Sequence, residues 1–206
     1  MKKLFAIPIL FMLPLFSSSL FAQLDNYDWS LKGGWGLPSF INFGDTKKWV
    51  EKGSGSEIIL GSLGYKNIHL NLSYKYFNGL KSKNIINFQG YQFPNSAVYR
   101  QVFMNLTLSY EYELIRRLFI DPQIGWVRTQ ITSNVIDNHG NEIELNKVDG
   151  LVIGTNLTKY IRLLNKAYLG IFVNLNYNMI NYQLISKDLG GNTVGYGFGF
   201  FVKGTN

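Results

Sequence analysis

From Ile68 to Tyr76, the residues Ile68, Leu70, Leu72, Tyr74 and Tyr76 take every second position, with His69, Asn71, Ser73 and Lys75 between them. A β-strand sends alternate side chains to opposite faces, so this stretch predicts one apolar and one polar face. The alternation recurs. Trp29, Leu31, Gly33, Trp35 and Leu37 mark a first strand, and a second lies near Ile58 to Tyr65. Only Lys66 and Asn67 separate that strand from Ile68, which suits a two-residue hairpin turn. A fourth strand is predicted from Val98 to Tyr112. A short link around Glu113 to Arg117 leads to a fifth, on which Leu118, Ile120, Pro122, Ile124 and Trp126 share a face. Pro122 counts against it, because proline removes a ladder hydrogen bond and favours an edge or a bulge. The sixth is near Leu151 to Leu157, the seventh runs from Ala167 to Met179, and the last is Val194 to Phe200.

Long polar connections, around residues 38–57, 78–97, 129–147 and 181–192, alternate with three short ones. This rhythm predicts an all-β fold, an eight-stranded antiparallel up-and-down transmembrane β-barrel with short turns in the periplasm and long loops outside. The competing arrangement is a soluble barrel of lipocalin type, apolar inside and polar outside. Its outer face would be rich in Lys and Glu. Here the polar face is mostly Asn, Ser, Thr, Gln and Gly, with sparse charges such as Lys32, Lys75, Glu111 and Asp121. Aromatics gather near the ends of the apolar faces, as at Trp29, Tyr74, Tyr76, Tyr110, Tyr112 and Trp126, in the manner of membrane-interface girdles. Gly195, Gly197 and Gly199 alternate with Tyr196, Phe198 and Phe200, leaving room inside a narrow tube and bulk outside. All three features favour the membrane.

Residues 1–22 combine Lys2 and Lys3, an apolar core broken by Pro8 and Pro14, and Ala22 before Gln23, as a secretory signal peptide does. The expected organisation is a signal peptide, 1–22, and one barrel domain, 23–206. Removing Lys2 and Lys3 lowers the formal charge from +7 to +5. That favours anionic surfaces, but nothing groups the charges into a nucleic-acid groove. With no Cys among 206 residues, disulfides and thiolate metal sites are excluded, so the sheet itself must hold the chain.

The signal peptide, the strand rhythm, the aromatic belts and the terminal Tyr196-Gly-Phe-Gly-Phe-Phe201 resemble the small bacterial outer-membrane β-barrel proteins, such as the OmpA barrel, OmpX, OmpW and the barrels of Bacteroidetes. Such barrels usually end on an aromatic residue, whereas Val202-Lys-Gly-Thr-Asn206 follows here. The resemblance implies residence in the bacterial outer membrane, contact with lipid and lipopolysaccharide, and a monomer. It also brings two function classes into view: a structural or surface-interaction protein whose loops engage an extracellular protein or ligand, and, as in OmpW, a transporter of small apolar molecules through a narrow or laterally opening barrel.

An enzyme is the third reading. His69 has Asn71 and Ser73 on the same face, but no acid or oxyanion donor can be placed beside it from sequence, and His139 sits in a Gly/Asn turn. No metal-ligand spacing appears and no cofactor is expected. Two clusters are predicted. Lys32, Glu111 and Asp121 all point inward in the periplasmic half and would form an interior ionic cluster. Arg100 and Arg128 face lipid near the outer rim. Pairing Tyr112 with Leu118 sets Val102 opposite Arg128 and makes Arg100 its diagonal neighbour, a pair fit to bind lipopolysaccharide phosphate. Val135, Ile136, Ile143 and Leu145, flanking a turn, offer a candidate docking edge.

Overall fold

The computed structural model describes residues 29–88, 91–95, 97–136, 139–145, 147–187 and 189–205. The expected signal peptide lies outside them. In chain order the strands are β1 (Trp29–Asn42), β2 (Lys52–Tyr65), β3 (Ile68–Lys81), β4 (Ile86–Phe88), β5 (Tyr91–Phe93), β6 (Val98–Tyr110), β7 (Tyr112–Ile115), β8 (Leu118–Ile136), β9 (Glu142–Glu144), β10 (Val148–Leu164), β11 (Ala167–Ile180) and β12 (Thr193–Thr205). A single helical turn, α1 (Thr46–Trp49), follows β1. Neighbours pair antiparallel in the order β10, β11, β12, β1, β2, β3, β6, β8, and β8 pairs back with β10. Eight staves thus close a barrel, β7 continuing β6 at its inner end.

Outward side chains follow the predicted faces. Leu31, Ile58, Leu63, Leu70, Leu108, Ile124, Val173, Leu175 and Phe198 are all exposed, spread round the wall. So wide an apolar surface has no place in water and suits lipid, where a closed sheet satisfies every backbone group. On β8 the outward residues Leu118 and Arg128 are ten apart, about 33 Å along the strand. At the usual tilt of about 40° this spans about 25 Å, the height of an apolar belt.

Several strands run well past their predicted outer ends, through Asn42 and Lys81, and β2 begins at Lys52. Above the membrane nothing demands an apolar exterior, so Lys52-Gly-Ser-Gly-Ser-Glu57 is strand without the signature of one. Pro122 makes no bulge: Ser109 pairs with Gln123 and Tyr112 with Ile120, which is one register. The ladder simply breaks at Glu111, whose N–H donates to the Asn67 carbonyl at 2.7 Å.

Candidate functional site

The lumen is built in layers. At the end that carries the short turns Glu111 is buried and accepts from Lys32 Nζ at 2.8 Å, from Lys203 Nζ at 2.5 Å and from the Tyr160 hydroxyl, while His69 Nε2 lies 3.5 Å from its Oε2. Around this group Phe119, Tyr160, Tyr168, Phe172 and Phe201 form an aromatic collar. Lys32 Nζ lies 5.3 Å from the Phe201 ring centre and Lys203 Nζ 5.0 Å from that of Tyr160, so both ammonium groups also face π-clouds. Asp121 is buried nearby. Burying charge is costly unless it is compensated. Among the described residues, Lys32, Lys75 and Lys203 are the buried lysines and Glu57, Glu111 and Asp121 the buried carboxylates, so their formal charges cancel. The packing needs Gly199, because a Cβ there would press on the Trp35 carbonyl oxygen and on the Phe172 ring.

Above this layer is a polar cavity of about 60 Å³, lined by residues such as Asn71, Asn105, Asp121, Gln123, Asn156 and Asn176. It has room for a few waters. Higher still, Lys75 Nζ stands 3.6 Å from Glu57.

An apolar plug closes the outer half. Phe40, Phe77 and Phe103 pack edge to face, at 4.8 Å between Phe40 and Phe77 and 5.6 Å between Phe77 and Phe103. The same cluster takes Trp49 and Val50 from the first outer connection, Phe93 and Ala97 from the second, Ile143 and Leu145 from the third, and Tyr182, Ile185 and Leu189 from the fourth. A chain of buried hydrogen bonds crosses it. Gln101 Nε2 donates to Thr129 Oγ1 and Tyr182 Oη, Tyr182 shares a bond with Thr193, and Thr193 donates to Asn42, which donates to the Val50 carbonyl. Backbone bonds join the connections: Thr46 N–H to Gly190 O at 3.0 Å and Lys83 N–H to Trp49 O at 2.8 Å. Gly191, at φ 144°, lies so close to Phe43 O that a side chain would not fit. The four connections are one folded head.

Lys83 also bonds Glu51, with Lys47 at 3.5 Å on the other side. The Lys83 hydrogen bond, chiefly, holds the Glu51 carboxyl below its ordinary 4.5. A depressed acid contributes fully above its ordinary value and loses its contribution as pH falls through the lower folded value. Hydrogen exchange of the segment Thr46 to Lys52, corrected for intrinsic rate, is therefore expected to quicken only below about pH 4.5, with no such step in Glu51→Gln.

The two sequence-predicted clusters differ in outcome. Lys32, Glu111 and Asp121 share the inner half of the lumen, Lys32 and Glu111 in direct contact. Sequence reasoning missed Lys203 and Tyr160, which lie past the predicted ends of their strands, and it missed that Glu111 reaches His69. Arg100 and Arg128 do not form the predicted pair. Arg128 stands opposite Met104 and Arg100 opposite Thr132, because the hairpin turns tightly at Arg116 and Arg117, pairing Ile115 with Leu118. Four residues along a tilted strand separate their depths by about 10 Å. Each is already bound to an acid: Arg100 to Glu142, and Arg128 to both oxygens of Asp149 at 2.8 and 3.0 Å, with Trp126 4.9 Å beneath its guanidinium. Nor is the candidate docking edge open. β9 pairs along β8, and Ile143 and Leu145 turn into the plug, leaving Ile136 exposed. Among the described residues no group of His and acidic side chains has the makings of a metal site.

No sequence family and no curated protein matches the chain. Its fold does match. Neisserial surface protein A superposes with a TM-score of 0.53 over 87% of this chain and 97% of that one, at 11% identity. Ail, the attachment invasion locus protein of Yersinia pestis, solved in complex with the heparin analogue sucrose octasulfate, gives 0.50 over 85% and 97%, at 10% identity. The chain has the fold of the small outer-membrane β-barrels. With its lipid-facing belt, that is the fold of a membrane-spanning barrel, and its eight-stave lumen is filled by side chains, as barrels of this width are.

Proposed function

We propose that this outer-membrane barrel is a structural and surface-interaction protein that engages an extracellular partner through its folded head. The observation that carries this reading is the plug: all four outer connections contribute to one apolar cluster that seals the lumen, with a second, ionic closure at the other end. A transporter needs a way through, and the cavity between the closures is only about 60 Å³. A non-enzymatic role is supported by the placing of His69, wholly buried beneath that cavity beside Glu111. The head exposes Phe43, Ile85, Ile136 and Leu184. Three of its lysines are paired in place, Lys48 with Asp45 at 2.6 Å and both Lys47 and Lys83 with Glu51, while Lys52, Lys81, Lys147 and Lys187 are also exposed there. A protein surface with apolar and acidic content fits this mixture.

The test is twofold. In planar bilayers the reconstituted protein is expected to give no steady conductance; a stable ohmic step would favour the transport reading instead. Cells displaying the chain are expected to retain an extracellular binding activity that is lost when Asp45, Ile85 and Leu184 are replaced together by Ala. Binding that survives this change would overturn the assignment to the head.

A further inference from the structure

The net positive charge of the chain is not spread evenly. The buried charges cancel. At the inner rim Lys66, Arg116, Arg117, Lys159 and Arg162 stand with one acid, Glu113, among the described residues. Four of these five cations lie on two neighbouring hairpins, β7–β8 and β10–β11, whose strands β8 and β10 pair directly. The two are tied into one ledge: Tyr160 N–H donates to Arg117 O at 2.9 Å, and Lys159 Nζ to Arg116 O at 3.0 Å. The Arg117 N–H donates to Glu113 Oε1 at 2.6 Å, which shapes the turn, where Arg117 has φ 62°.

Apolar side chains sit among these cations. Leu114, Ile115, Leu163 and Leu164 are exposed, Leu164 at 72% and Ile115 at 65%, and none has a lumen to fill. The belt height places Leu118, and with it its partner Lys159, at the inner boundary of the hydrocarbon. The rest of the ledge falls at the depth of the inner-leaflet headgroups. Basic and apolar residues interleaved at that depth fit a lipid with a negative head: leucines reach the acyl boundary while guanidinium forks take phosphate by paired hydrogen bonds. The ledge is also continuous with the lipid-facing wall, so its occupant is lipid.

We propose that this ledge is a binding site for anionic phospholipid of the periplasmic leaflet. It does not depend on what the head binds.

The full chain would be reconstituted in nanodiscs of equal phosphatidylcholine and phosphatidylglycerol, stripped with detergent, and its retained lipid weighed by native mass spectrometry. The wild type is expected to retain phosphatidylglycerol preferentially, each neutralised cation weakening that preference by up to about five-fold. Arg116→Gln with Arg117→Gln and Lys159→Gln should bring it close to unity, while Lys47→Gln with Lys48→Gln in the head leaves it intact. Heat-dependent gel mobility checks that each variant is folded; should the triple variant fail, salt titration of the wild type must erase the preference in the same way. Equal retention of the two lipids by the wild type, or equal loss on changing the head lysines, overturns the proposal. So does a wild type without lipid preference that co-sediments with peptidoglycan through these same residues, since the ledge would then serve the cell wall.

Discussion

Glu111→Gln is expected to cost the barrel about 3–5 kcal/mol, the loss typical when one partner of a buried charge group is removed. The amide keeps the shape of the side chain and removes its charge. Lys32 and Lys203, both buried and directly opposite each other on the paired strands β1 and β12, are then left with only Asp121 in reach as an acid. Lys32→Met should cost less, because Glu111 retains Lys203 and Tyr160. Urea unfolding in lipid vesicles, followed by tryptophan emission, measures both. A Glu111→Gln barrel as stable as the parent would mean that the cluster contributes nothing to folding.

Phe77→Ala should lose a similar amount, about 3–5 kcal/mol, by deleting the middle ring of the plug and leaving a cavity that its neighbours cannot fill. Phe77 is 1% exposed and touches Phe40 and Phe103 edge to face. The consequence reaches further than stability. Trp49, Tyr182 and Ile143 belong to the same cluster, so the head should loosen as a unit, and trypsin should cut after Lys81 and Lys83 far faster than in the parent. If unfolding shifts while cleavage does not, the head is held by its backbone bonds and not by the plug.

The transmembrane part of this fold was legible because lipid imposes a rule on every outward position. Ile68 to Tyr76 obeys it, as do Ala167 to Met179 and the Gly/aromatic alternation before Phe201. Beyond the bilayer the rule lapses. Residues 52–57 pair with β1 or β3 yet look like a loop, and Lys203, which continues the inward series of Gly195, Gly197, Gly199 and Phe201, was hidden by taking Phe200 as the strand end. That parity was the available signal for the second cation. The arginine pair failed for another reason: register is counted from the turn, and taking Glu113 to Arg117 as a link instead of a two-residue turn slid Arg128 two positions along β6. The plug was the least legible feature, since contacts among four distant connections leave no period in the sequence.

β8 continues for eight residues beyond Arg128, which lifts its end about 20 Å above the outer boundary of the hydrocarbon. The head therefore stands off the membrane, held up by a hydrogen-bonded wall and not by a tether. Among the described residues the head is already folded, so a partner meeting them has less chain to order. Contact then becomes a matter of reach: what the head can touch is fixed by how far eight staves project through the cell's outer coat.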